Sequence, residues 1–212
     1  DDGRWVRKIK YSIEEYKSNR CSVALSDSTA LVGLGDSDTD AGVYAGLVLI
    51  YEQDNEGVWN KAQELVIPVD WSGRNKEVGR SVNIDANLAC IASKDGVYIF
   101  RRDGGKKWEQ IQRLNVLNRD GSCSVEGTTF AVQNSGELRA YHFDEELGEY
   151  VPLQSIFYQK PYNNGVYKEL GIFAMSLSNN HLVYSTGEYD FPAGYHVGIE
   201  IFIYHRQDTY QP

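Results

Sequence analysis

Cysteine, methionine and proline are scarce in this chain: three Cys, one Met and five Pro in 212 residues. Cys21, Cys90 and Cys123 cannot all pair with one another and form no C-x-x-C, which excludes a disulfide framework and a zinc site of ordinary spacing. Cys90 sits within the apolar stretch Leu88-Ala89-Cys90-Ile91-Ala92 and reads as a small core residue. Cys21 and Cys123 each precede a Ser-Val pair, and no bridge between them is expected. Basic residues are also in deficit, 21 Lys and Arg against 30 Asp and Glu, for a net charge of −9. Such a surface repels nucleic acid and anionic lipid, so no nucleic-acid partner is expected. No apolar run approaches the roughly 18 residues that a membrane span needs, so no transmembrane segment is expected, and Asp1-Asp2-Gly3-Arg4-Trp5 lacks a basic-then-apolar signal region.

Catalytic signatures are missing too. There is no G-x-S-x-G, no H-E-x-x-H and no phosphate-cradling glycine loop. Gly33-Leu34-Gly35 follows a strand-like run, but no helical pattern opens after it, which excludes a dinucleotide site. Of the four histidines, His142 and His205 fall at strand positions beside Tyr141 and Tyr204 and read as structural. Glu188 and Asp190 could flank a sugar, but a carboxylate pair of unknown separation predicts no reaction. The chain reads as a non-enzyme.

What is abundant is short β-branched and aromatic runs, with 15 Tyr and 20 Gly among them. An aromatic residue leads an alternating segment four times, at Trp5, Trp59, Trp108 and Tyr150. Three further strand-like runs belong to each: SVALS, ALVGLG and LVLIYEQ; SVNID, LACIAS and VYIFRR; SVEG, FAVQN and LRAYHF; and AMSLS, LVYST and IEIFIYHR. Asp-Ser, Asn-Asn, Asp-Gly and Ser-Gly turn signals separate them, and no segment holds a 3.6-residue apolar period. Four-stranded antiparallel units in series are the pattern of propeller blades. The fold class expected is therefore all-β, a β-propeller of four four-stranded blades in one domain over 1–212. The blades fall near 12–67, 68–117, 118–157 and 158–212, the last completed by 5–11. The aromatic-led segment 5–11 would pair with the C-terminal blade and close the ring, removing its open sheet edges. The alternative is a contiguous four-blade piece of a larger ring, for example one of seven blades.

The chain resembles FG-GAP repeats along its whole length, most specifically in the first two blades; blades of that family run W-x-x-x-x-x-L, then F-G-x-S-V-A-I-S, V-V-G-A-P, an acidic glycine-rich loop and G-x-A-Y-V-F. Ser22-Val23-Ala24-Leu25-Ser26, Leu31-Val32-Gly33-Leu34-Gly35, the loop 36–46 and Leu49-Ile50-Tyr51 follow that order, and Val78-Gly79-Arg80-Ser81-Val82 matches in the second blade. The resemblance implies a β-propeller akin to the integrin α-subunit head, with an extracellular or cell-surface setting. It implies no reaction, because propellers host many unrelated functions. Free thiols lean toward an intracellular or organellar assembly instead.

Two long loops share A-G-x-x-x-G: GDSDTDAGVYAG over 35–46 and GEYDFPAGYHVG over 187–198. In an up-and-down blade these loops and the blade-to-blade linkers 11–19, 69–78 and 158–170 emerge on one rim. That rim collects Tyr16, Tyr44, Trp71, Tyr162, Asn163, Asn164, Tyr167, Tyr189, Asp190, Phe191, Tyr195 and His196. Aromatics and amides on loops of a rigid scaffold suit recognition, so a protein partner is expected and a glycan partner is the alternative. Asp36, Asp38 and Asp40 alternate in a way that resembles D-x-D-x-D-G calcium loops. Calcium wants about 6–8 oxygen ligands. Ala41 follows Asp40 where a Gly would be usual, so a solvated acidic turn is the first reading and calcium the second, with no other cofactor expected.

Overall fold

The computed structural model describes residues 10, 16–68, 76–104, 107–116, 122–134, 137–157, 168–178, 181–190 and 195–205. Regular structure among them is entirely strand. The first blade comprises β1 (Cys21–Ser26), β2 (Thr29–Leu34), β3 (Leu47–Gln53) and β4 (Trp59–Leu65). The second comprises β5 (Ser81–Asp85), β6 (Leu88–Ser93), β7 (Gly96–Asp103) and β8 (Lys107–Leu114). The third comprises β9 (Cys123–Glu126), β10 (Thr129–Asn134), β11 (Glu137–Asp144) and β12 (Glu149–Phe157). The fourth holds β13 (Lys168–Ser178), β14 (His181–Asp190) and β15 (Tyr195–His205).

Each set forms one antiparallel sheet in simple up-and-down order, and the four sheets make a four-bladed β-propeller with β1, β5, β9 and β13 as the inner strands. The outer strand assigned from sequence to 5–11, and with it the closing of the ring, lies outside the described residues. No helix among the described residues is long and apolar enough to cross a membrane.

A propeller blade is apolar on both faces because both pack against neighbours, and the core is accordingly a series of interface layers. Leu31, Val48, Ile50 and Leu65 of the first blade meet Val82, Ile84, Ile91, Tyr98 and Trp108 of the second. Leu88, Cys90, Val97 and Ile99 of the second meet Val125, Phe130, Val132 and Tyr150 of the third. Ala131 and Leu138 of the third meet Leu182 and Tyr184 of the fourth. Burying each large aliphatic side chain contributes about 1.5–3 kcal/mol. Linker residues seal the outer parts of the layers, Ile67 in the first and Val116 in the second.

The blades also repeat one irregularity: the third strand shifts register against the fourth between Ile50/Tyr51, Ile99/Phe100 and Ala140/Tyr141. A bulge at the same place each time bends the outer strand and increases its twist.

Outer strands are joined by a glutamine clamp. Gln63 Nε2 donates to Trp108 O and Gln63 Oε1 accepts from Trp108 N, both at 2.9 Å. Gln112 treats Tyr150 in the same way, at 2.9 and 2.7 Å. The side-chain amide thus imitates a backbone strand toward the next blade. Spacing W-x-x-x-Q places Gln154 at the corresponding point of β12, where it is exposed.

Removing a clamp leaves two part-buried backbone groups unpaired. Gln63→Leu and Gln112→Leu are expected to cost about 1–3 kcal/mol each, whereas Gln154→Leu stays within about 0.5 kcal/mol. Urea midpoints at unchanged slope measure the difference, and equal effects at all three positions would reject the clamp.

Candidate functional site

The rim that carries the β2–β3 connection is the candidate site. Its centre is the loop 36–46, whose shape is fixed by its own hydrogen bonds. Thr39 and Gly42 exchange backbone bonds at 3.1 and 2.9 Å, closing a tight turn at the tip. Asp38 Oδ1 accepts from Tyr44 N at 2.8 Å, and Gly46 N donates to Ser37 O at 3.0 Å. Tyr44 is thereby held at φ 50, a left-handed conformation that an aromatic residue seldom takes. The residue is left 49% exposed, beside Val43 at 65%.

The loop leans on the second blade. Glu77 N donates to Tyr44 O at 3.1 Å and Val78 N to Ala45 O at 2.9 Å. Gly46 is required here: a Cβ on it would stand 2.3 Å from Val78 O, and its φ is 73.

Beneath the loop lies a charged network that joins the first two blades. The Glu77 carboxylate, with only 8% of its side chain exposed, receives Arg80 Nε at 3.0 Å, Arg20 at 3.2 Å and Lys94 Nζ at 2.5 Å. Next to it, Lys76 Nζ reaches Asp95 at 3.2 Å and donates to Pro68 O at 3.0 Å. Arg113 pairs with Asp95 at 3.2 Å, and the Tyr98 hydroxyl and Ser93 Oγ donate to it as well. Burial works against the Asp95 charge, but the Ser93 and Lys76 hydrogen bonds and the Lys76 and Arg113 charges outweigh it and hold the carboxyl below its ordinary range.

Asp36 follows the same logic on a smaller scale. Its Oδ1 accepts from Ser18 Oγ, from Asn19 N at 2.9 Å and from Arg20 N at 3.1 Å. Burial again opposes the charge, and these bonds hold its pKa down. Asp36 therefore anchors the linker that leads into β1. With Asp38 tied to Tyr44 N, two of the three alternating carboxylates each spend an oxygen on the protein. Among the described residues no group of three His, Cys, Asp or Glu is placed to hold a metal ion.

Of the other rim residues expected from sequence, Trp71, Tyr162, Asn163, Asn164, Tyr167 and Phe191 lie outside the described residues. In the fourth blade the segment 187–198 is less open than its likeness to 35–46 suggests. β14 and β15 stay paired out to Tyr189↔His196 and Asp190↔Tyr195, past a bulge at Glu188/Tyr189, so only 191–194 separates the strands. Aromatic, β-forming residues on both sides of the turn keep the ladder going. Tyr189, Asp190, Tyr195 and His196 thus stand at the rim end of one hairpin. The three cysteines are free, with Cys21 exposed and Cys90 and Cys123 buried, and burial together with the neighbouring Cys123 pushes the Cys90 thiol up.

The network around Glu77 and Asp95 went unread in the sequence. Its only trace is the recurrence of adjacent opposite charges, Lys76-Glu77 and Lys94-Asp95, at two rim turns.

No protein-family model and no curated protein sequence matches the chain. Solved structures do resemble it. Sqt1 of Saccharomyces cerevisiae matches 87% of this chain and 49% of its own, at 14% identity and a TM-score of 0.49. A protein of unknown function from Desulfotomaculum acetoxidans matches 90% and 77%, at 15% identity and 0.47. The periplasmic gluconolactonase PpgL of Pseudomonas aeruginosa matches 87% and 72%, at 14% identity and 0.41. The chain spans about half the length of Sqt1, 49%.

The depressed pKa of Asp95 has a pH signature. The stability it lends is present above the unfolded-state value of about 3.9 and is lost as pH falls through the lower folded-state value. Asp95→Asn is expected to lower the urea midpoint at pH 7, and the gap to wild type is expected to narrow steadily below about pH 4. A gap that stays constant from neutral to acid pH would contradict the assignment.

Proposed function

We propose that this chain is a non-catalytic binding module that engages a protein partner through the rim bearing the loop 36–46. The observation that carries the reading is Tyr44: an aromatic ring held in an unfavourable backbone conformation by Asp38 and Glu77, and left half in solvent. Strain of this kind persists only where the surroundings over-determine it, and it concentrates at sites of recognition. A rigid, amphipathic ring also loses little entropy on binding, which is why tyrosine recurs as an anchor in interfaces. Backbone bonds from Glu77 and Val78 tie this loop of the first blade to the second, so the ring is presented without a flexible stem.

The FG-GAP resemblance of the first two blades supports the same reading, since integrin-type heads are recognition domains, and with it a cell-surface or extracellular setting. The distribution of chemistry supports it further. On the rim, Asp36, Asp38, Glu77 and Asp95 are engaged with cations or backbone donors, an arrangement suited to holding loops in place.

A photoreactive aromatic placed at position 44 of the full chain tests this against one placed at Leu147, which is 65% exposed on the opposite rim in the β11–β12 turn. Adducts with one protein are expected from position 44 and not from 147. Tyr44→Ala is expected to weaken that contact by about 30-fold or more. Equal crosslinking from both rims, or indifference to Tyr44→Ala, would refute the proposal.

A further inference from the structure

Side-chain oxygens on the forward face of each inner strand take backbone N–H groups from the blade that follows. Ser26 Oγ accepts Ala86 N at 3.0 Å between the first and second blades, and Ser124 Oγ accepts Leu177 N at 3.0 Å between the third and fourth. Between the second and third, Ser81, Asn83 and Asp85 accept Cys123 N at 3.4 Å, Val125 N at 3.0 Å and Gly127 N at 2.6 Å. These bonds set the register of one blade on the next, and so decide which side chains meet in the layer between them.

The same two positions meet in every layer. Aligned on the hairpin turns that join first to second strands, Leu31, Cys90 and Ala131 are equivalent, and so are Val82, Cys123 and Met175. Leu31 shares a layer with Val82, Cys90 with Cys123 and Ala131 with Met175. Cys90 is fully buried, directly across from Asn83 in the second blade, and Cys123 is 3% exposed. The Cys90 thiol hydrogen-bonds to that of Cys123, whose Sγ in turn reaches Ser81 O at 3.9 Å. Filling this place requires no sulfur, since Leu31 and Val82 fill it between the first and second blades. What the two thiols add is the capacity to form a bond across the layer.

We propose that Cys90 and Cys123 are an oxidation site, at which a small hydroperoxide joins the second blade to the third through a disulfide. A peroxide is little larger than water, and Cys123, the first residue of β9, is the sulfur it reaches. Cys123 gives up its proton and its sulfur attacks one peroxide oxygen; the O–O bond breaks, and the leaving hydroxide takes that proton away as water. Cys123 is then a sulfenic acid. Burial and the contact with Cys123 push the Cys90 thiol up, which keeps it protonated and makes it the resolving partner. Its sulfur attacks that of Cys123, the S–O bond breaks, and the second hydroxide departs as water with the Cys90 proton. The two thiols lose two electrons, and the peroxide is reduced to two waters. Dithiols restore the original pair by exchange.

Hydrogen peroxide applied to the folded chain, followed by alkylation in urea and peptide mapping without reductant, tests the proposal. Cys21 is exposed, and Cys21→Ser removes it from the map. In that variant a single cross-linked species is expected, joining Cys90 to Cys123 and two hydrogens lighter than the separate thiols, with loss of both alkylatable sulfurs. The bond restricts the unfolded chain over residues 90–123, so the urea midpoint is expected to rise on oxidation and to fall back with dithiothreitol. In Cys90→Ala the cross-link is lost and Cys123 is expected to accumulate as a sulfenic acid trapped by dimedone; no adduct there would overturn the assignment of Cys123 as the attacking sulfur. Two results would overturn the site itself: a 90–123 cross-link that forms only when peroxide is added in urea, or both thiols still alkylatable once peroxide has consumed Cys21 of the wild-type chain. The maps of the wild-type and Cys21→Ser chains decide the matter if Cys90→Ala fails to fold.

Discussion

A blade in a propeller has two faces to remove from water and a single neighbour for each, and this requirement governs nearly every other feature of the chain. A free-standing sheet can leave one face polar, and its strands then alternate apolar and polar residues. Here β6 is buried along its whole length, Leu88 to Ser93, because both of its faces carry an interface. Apolar contact alone would allow blades to slide or stack in several ways, since the hydrophobic effect has no direction. The forward oxygens of Ser26, Asn83, Asp85 and Ser124 supply that direction. Asn83 and Ser124 each accept, at part-buried sites, from one backbone N–H of the next inner strand, so a shifted blade would strand part-buried polar groups.

This division of labour explains what was legible in the sequence. Strand identity came from local alternation, and LVLIYEQ, SVNID and LACIAS coincide with β3, β5 and β6. Blade order came from the repeat of the leading aromatics. The glutamine clamps were present in the same repeats, as Gln63 and Gln112 four residues after each tryptophan, yet a polar residue on a half-exposed outer strand looks like ordinary surface until the neighbouring blade is in place. The Glu77 network was hidden for the same reason. Arg20, Glu77 and Lys94 are far apart in the chain, and only the juxtaposition of two rims makes them one cluster. Extension of β14 and β15 to Asp190 and Tyr195 escaped notice because Gly187 and Gly198 look like loop punctuation, whereas both pair within the ladder, which runs on to Tyr189↔His196 and Asp190↔Tyr195.

The candidate site follows from the same geometry. Up-and-down connectivity sends the β2–β3 loops and the linkers to one rim, so irregular backbone accumulates there while the other rim keeps tight turns. Irregular backbone needs partners for its N–H and C=O groups. Asp36, Asp38 and Thr39 provide them within the first blade, and Glu77 and Val78 provide them from the second. Two of the carboxylates that look in sequence like a row of metal ligands, Asp36 and Asp38, each spend an oxygen in this way on building the loop. What the loop displays as a result is Tyr44 and Val43.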